Sequence, residues 1–457
     1  MPPVIRAQRF PVGRARKVRF DLISETVEHY YGALVEVSRG CPFLCEFCDV
    51  RVLPGNNRSN NKNPELIVEE LDAYYKLGVR QFQFVCDNFI GDVSWARQCV
   101  EAILEWKERM GAEVSIFTWI TINLYKLPDL MAKMRRAGFS IIYIGIESVN
   151  QNALLETAKA QNFTELGSAI TEIQSYGFVI VPGFIFGFDS DTVSVFDDTL
   201  DFFIETGLIG GEPAFLMALS GTPLYKRMER SGRLIERIED KAIVRKGNRG
   251  ATNTITTNIL YFLDADFLAK GLVRFLKIYN SPAWQLERYK RHLQLLEQSE
   301  NFIAGGQEGG YATPREYFRF QFKDPNNRKM LFLRIAYVLH KPTIALAILR
   351  AWWLTKRLSG RFAGLDIHFN YWGYVWTNMG LKYWNLREED IQLQSVGQDF
   401  DFTKIAELPV VEDDLEAKKR GDEKTAAQAR LTSQGLKALA ESRTQGTVAS
   451  AASGAAR

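Results

Sequence analysis

Three of the chain's five cysteines fall within eight positions: Cys41, Cys45 and Cys48 of SRGCPFLCEFCDV, residues 38–50. Five cysteines in 457 residues do not make a disulfide framework, and three thiols in one short stretch point to metal chemistry in a reducing compartment. A structural zinc site takes four ligands, usually as two separated pairs; Cys86 and Cys99 are not spaced as a second pair. Three buried thiols holding nothing is the plain alternative. A C-x3-C-x2-C triplet also suits a [4Fe–4S] cube in which thiolates hold three irons and the fourth stays open. An open coordination position is what separates a catalytic metal centre from a structural one.

The elements around the triplet set where it must sit. From residue 33 to about 220, short apolar stretches alternate with helical patterns. ALVEVSRG, QFQFVCDN, VSIFTWITINL, IIYIGIES, VIVPGFIFGFD and EPAFLMAL read as strands. PELIVEELDAYYKLG, SWARQCVEAILEWKERMG, LPDLMAKMRRAG, FTELGSAITEIQSYG and TVSVFDDTLDFFIETG read as helices, the second with Ser94 as its cap. Such strands predict a parallel sheet buried on both faces by crossover helices. Six β/α units without a dinucleotide fingerprint predict an α/β fold of the partial (β/α)6 barrel type, followed by a mainly helical C-terminal domain. In that arrangement chemistry collects at the C-terminal ends of the strands. The cysteines follow the first strand, and CDNF, TINL, GIES and GFIFGFD close the next four.

C-x3-C-x-aromatic-C opening such a barrel resembles the radical S-adenosylmethionine (SAM) superfamily. The resemblance extends over roughly residues 20–300, and RFDLI, SRGCPFLCEFCDV, KNPELIVEELDAYYKLG, DNFIGD, IGIESVN and GFIFGFDS are similar to its hopanoid C-methylase and cobalamin-dependent branch. The resemblance implies that Cys41, Cys45 and Cys48 hold the cluster and that Phe47 lies against the adenine of SAM. It implies that Asp87 and Asn88 contact the methionyl amine and that Glu147 binds polar groups of the cofactor. Gly183, Ile185 and Gly187 then form a backbone strip beside the adenine, where glycine permits close approach. Singly, Asp87 and Asn88 also read as a turn pair and Glu147 as a helix-start acid. The expected activity is reductive cleavage of SAM to a 5′-deoxyadenosyl radical and modification of an unactivated C–H position, by methylation or oxidation. The expected substrate is a hydrophobic small molecule such as an isoprenoid lipid or tetrapyrrole, and the expected reductant is of the flavodoxin or ferredoxin kind. A cluster protein that only transfers electrons or binds a partner is the rival reading.

The sequence departs from that branch in three places. About thirty residues precede the barrel, fewer than a cobalamin-binding domain needs. Cobalamin use is therefore open, with a separate cobalamin-binding protein as one route to it. DIHFNYWG offers Asp366 and His368 but has Tyr371 where a cobalamin-ligand signature has glycine, so it reads as a core or substrate-wall segment. Trp119 stands where an acid is expected, which widens the aromatic wall. Cys86, next to Asp87, reads as buried packing, with hydrogen-atom donor or auxiliary ligand as its alternative roles; Cys99 reads as packing.

Four units are expected: a lead-in over 1–32, the barrel over 33–235, a helical, aromatic-rich domain over 236–410, and a disordered tail over 411–457. Residues 236–300 read as a strand-poor connector. The net charge of +3 argues against a nucleic-acid surface. The N-terminus shows no signal peptide, and a cytoplasmic location is expected. MLFLRIAYVLHKPTIALAILRAWWLTKRL is broken by charges and a proline, so it is no membrane span; it reads as a core helix pair, with contact to a lipid surface as the alternative.

Overall fold

The computed structural model describes residues 12–16, 18–27, 32–52, 58–159, 165–235, 255–304, 322, 325–359 and 365–402. Its first strands are β1 (Ala33–Glu36) and the short β2 (Ser38–Arg39) and β3 (Asn60–Asn61), which pair antiparallel with each other. After them, strands and helices alternate: α1 (Pro64–Lys76), β4 (Gln81–Val85), α2 (Val93–Met110), β5 (Ser115–Ile120), α3 (Pro128–Ala137) and β6 (Phe139–Glu147). Then come α4 (Gln151–Glu156), α5 (Leu166–Ser175), β7 (Val179–Phe186), α6 (Val195–Thr206), β8 (Glu212–Phe215) and α7 (Pro223–Arg230). The sheet order is β1-β4-β5-β6-β7-β8, and every neighbouring pair is parallel. Strands laid down in sequence order with helical crossovers of one hand place all the helices on one face. Among the described residues β1 and β8 do not pair, so the arc stays open.

The two faces of the sheet differ. Phe82, Phe84, Ile116, Thr118, Ile142, Ile144, Phe184 and Phe186 are buried in one core with Ile67, Val100, Ile103, Met134, Ile170 and Phe196 of the crossover helices. The alternate residues Gln83, Phe117, Trp119, Tyr143, Val181 and Ile185 are only half-buried, and Val85 is exposed. The expectation of burial on both faces is corrected: a run of apolar residues does not tell a strand covered twice from one whose second face lines a cavity.

Local signals explain the helix ends. Asp92, not Ser94, caps α2: its carboxylate accepts from the Trp95 amide at 3.0 Å. Gly138 ends α3 at φ 101°, and a Cβ there would lie 2.6 Å from the Val114 carbonyl oxygen, so chain reversal into β6 requires glycine.

Beyond the sheet lie β9 (Ile255–Tyr261), α8 (Ala265–Tyr279), α9 (Pro282–Gln298), α10 (Pro325–His340), α11 (Pro342–Ser359), α12 (Asp366–Lys382) and β10 (Ile391–Ser395). The strand β9 was not expected in the 236–300 connector. It pairs in parallel with β10, far along the chain, and buries Thr257, Ile259 and Tyr261 on alternate positions. The helices form a second core from Tyr289, Ile344, Ala347, Ala351, Trp372 and Trp376. DIHFNYWG belongs to it: His368 Nδ1 meets His292 Nε2 at 2.8 Å, both rings fully buried. Burial pushes His292 down to about 3 and holds His368 well below the usual range. The tail expected from 411 onward lies outside the described residues.

Candidate active site

The cysteine loop runs out of β2 and is pinned from several sides. The Gly40 amide donates to Asp87 Oδ2 at 2.5 Å, tying the loop to the end of β4. The Cys48 amide donates to the Cys45 carbonyl at 3.1 Å, and the Glu46 amide to the Thr157 carbonyl at 2.9 Å. Cys45 is buried; Cys41 and Cys48 are partly so. Burial, aided by the neighbouring Cys45, pushes Cys41 up to about 11 and Cys48 up to about 12. Left alone they are thiols at neutral pH; a bound cation reverses that balance and takes them as thiolates. Among the described residues no three His, Cys, Asp or Glu side chains converge to hold a single ion. A cubane cluster takes one thiolate per iron, so its ligands stand apart rather than meet at a point.

Asn88 is fully buried beside this loop. Its Nδ2 donates to Cys41 Sγ at 3.8 Å, while its Oδ1 has no partner. An unsatisfied buried acceptor costs about 1–3 kcal/mol. A donor bound next to Cys41 relieves that cost, so the residues present fit a cluster and an amine-bearing cofactor.

The acid at the end of β6 is held in an unusual way. Glu147 has φ 67°, in the left-handed region that bulky residues avoid, and follows a break in register between β6 and β7. Its carboxylate folds back over Gly145, where a Cβ would lie 2.2 Å from Glu147 Oε1, and pairs with Lys159 Nζ at 2.8 Å. Both side chains are buried. Burial opposes the lysine's charge, but Glu147, Cys45 and Cys48 outweigh it and hold Lys159 above its ordinary range. Lys159 Nζ also lies 5.8 Å from the centre of the Phe47 ring, which is itself 6.2 Å from Phe188. Lys159 was not singled out in the sequence. It sits in a turn just past α4 in a stretch with no motif.

The remaining expected residues have clear neighbours. A Cβ on Gly183 would meet the Tyr143 hydroxyl at 2.1 Å, and one on Gly187 the Tyr261 ring at 2.4 Å. The room these glycines leave on their Cβ side is taken by the chain's own tyrosines. Burial, with the charge of Glu147, pushes Tyr143 up to about 12. Ile185 is half-buried on the open face of β7. Cys86 is buried, its Sγ 3.3 Å from Thr118 Oγ1 and 3.7 Å from the Trp119 carbonyl, and burial pushes it up to about 12. These contacts make it a packed, hydrogen-bonded thiol. Cys99 is fully buried in α2.

A buried ionic network underlies the loop, and nothing in the sequence marked it. Glu46, between two of the cysteines, receives Arg227 Nε at 2.8 Å and Nη2 at 2.9 Å. Arg227 Nη1 reaches Asp189 Oδ2 at 2.5 Å, and Arg233 grips both oxygens of Asp189 at 2.8 and 2.6 Å. Glu156 accepts from the amides of Asp189 and Ser190, each at 2.9 Å. All these side chains are withdrawn from water.

Residues 35–203 match the family model described as the radical SAM superfamily. This stretch is a radical SAM domain. A second model, a domain of unknown function (DUF4070), matches residues 222–324. The Glu46–Arg227 pair thus joins the radical SAM domain to this second region. The hopanoid C-2 methylase of Rhodopseudomonas palustris is 34% identical over 215 residues, covering 47% of this chain and 40% of that protein. An uncharacterized methyltransferase of Synechocystis is 31% identical over 298 residues, covering 64% and 53%. The bacteriochlorophyllide d C-12(1)-methyltransferase of Chlorobaculum tepidum is 25% identical over 205 residues, covering 44% and 43%. The chain spans about half the length of these curated relatives. A radical SAM domain implies a [4Fe–4S] cluster and SAM as its cofactors.

Proposed function

We propose that this chain cleaves SAM reductively and modifies a C–H position of a hydrophobic small molecule, with Cys41, Cys45 and Cys48 each holding one iron of the cluster. When bound, the cluster and SAM supply one-electron reduction of the sulfonium and the 5′-deoxyadenosyl radical that takes a hydrogen atom. The chain's own residues hold, orient and keep out water. Asp87 fixes the start of the cysteine loop through the Gly40 amide. Asn88 Oδ1 is a buried acceptor for the methionyl amine beside Cys41. Lys159, steadied by Glu147, keeps a positive charge next to Cys45 and Cys48 and offsets thiolate charge in a dry site.

The observation that carries the reading is the pinned thiol loop with Asn88, past the end of β4, and the Glu147–Lys159 pair at the end of β6, in a radical SAM domain. Phe117, Trp119, Tyr143, Val181 and Ile185 on the half-buried face of the sheet favour an apolar ligand. The relatives named for hopanoid and bacteriochlorophyllide point the same way, toward an isoprenoid lipid or a tetrapyrrole. Methylation and oxidation are separated by cobalamin: the first needs it in the assay and the second does not. The test is anaerobic cluster assembly, reduction with dithionite in the presence of SAM, and mass-spectrometric measurement of 5′-deoxyadenosine, with Cys45→Ala as control. Formation that vanishes in the variant is the expected result. A well-formed cluster without SAM cleavage, in matched cell extract as well, overturns it in favour of electron transfer or partner binding.

A further inference from the structure

We propose that α10 and α11 dock this protein in the plane of a bilayer surface bearing anionic headgroups. The two helices carry six cationic side chains, Arg328, Lys329, Arg334, Arg350, Lys356 and Arg357, and Lys341 between them is a seventh. Between Pro325 and Ser359 there is no aspartate or glutamate. Asp324 immediately precedes this run, and Lys356 is paired with Asp366 of α12.

The apolar pattern is the second observation. The inner face of α11, Ile344, Ala347 and Ala351, is buried in the second core, and Leu331 and Tyr337 turn α10 inward. The outward faces should then be polar. Instead α10 exposes Phe332, Leu333, Ile335 and Leu339, the last 72% exposed, and α11 exposes Leu346, Leu349, Trp352 and Trp353. Soluble surfaces carry such residues singly; eight of them on two consecutive helices mark an interaction surface.

Charge and geometry decide the occupant. Lysine and arginine interleaved with tryptophan and leucine is the composition of a helix lying at a lipid–water boundary, where apolar side chains enter and cations stay among the phosphates. A second copy of this chain would bring seven more cations against seven with no acid on either helix to meet them. The helices also do not run as one rod. The chain bends by 103° between them, so the pair spreads across a surface, and among the described residues no single helix is long and apolar enough to cross a membrane.

The test uses the full chain and sedimentation with vesicles of phosphatidylcholine alone or mixed with phosphatidylglycerol. Binding to the mixed vesicles is expected, falling about tenfold or more when Leu349→Glu and Trp353→Glu are combined. Arg350→Glu with Arg357→Glu should abolish the preference for phosphatidylglycerol. These side chains are exposed, so the variants keep the wild-type circular dichroism and thermal transition. Quenching of tryptophan fluorescence by brominated lipid should drop in Trp353→Leu. Absence of binding to mixed vesicles overturns the proposal, whether the chain is then a monomer or a dimer broken by Leu349→Glu. Binding that all these variants leave unchanged overturns it equally.

Discussion

Replacing Arg227 by methionine should destabilise the protein and empty the thiol site together. In the native structure Arg227 gives Glu46 hydrogen bonds of 2.8, 3.1 and 2.9 Å, and both side chains are almost fully buried. Asp189 retains its two bonds from Arg233 in the variant, so the loss falls mainly on Glu46. Removing one partner of a buried pair costs about 3–5 kcal/mol, a large part of the ~5–15 kcal/mol that stabilises a typical fold. Glu46 lies between Cys45 and Cys48, and its relaxation toward water moves the loop that carries them. Adding Glu46→Gln removes the buried negative charge that Arg227 had balanced and should return about half of the loss. The assays are urea unfolding, and iron and acid-labile sulfide per chain after anaerobic reconstitution. A loss below about 1 kcal/mol with unchanged iron would refute the claim that this network supports the loop.

Two further outcomes follow from the same structure. Gly145→Ala puts a Cβ where Glu147 Oε1 now sits, and Lys159→Met removes its partner; each should lower SAM cleavage about tenfold or more while the thiol triplet stays intact. Cleavage at the wild-type rate in Lys159→Met would show that the pair is only structural. Against the effect of burial, Arg233 and Arg227 hold the Asp189 carboxyl well below the usual carboxylate range. A depressed folded value means that its stabilisation is complete above the unfolded value of 3.8 and is lost as pH falls through the folded one. Urea titrations from neutral pH down to about pH 3 should show this acid-dependent loss in the wild type and a weaker one in Asp189→Asn; equal slopes would contradict it.

Much of the architecture is legible because its signals are local. Alternating apolar strands and glycine-ended helices yield the parallel order, and three thiols within eight residues need no tertiary contact to stand out as a candidate ligand set. Asp87, Asn88 and Glu147 were legible as strand-end residues, and the structure places them near the loop. The strand β9 is not legible in the sequence because its partner β10 lies more than a hundred residues away. The glycines of GFIFG were legible as places needing room, but not that Tyr143 and Tyr261 fill it.

The sequence by itself determined the grouping of the three thiols and the succession of elements, both set by covalent spacing and periodicity. Only the tertiary structure decided which charges leave water. Glu46 meets Arg227 across 181 residues, and Lys159 turns back to Glu147 from beyond α4. A charge is buried without prohibitive penalty only when a partner arrives from elsewhere in the fold, and one-dimensional spacing does not say which partner that is.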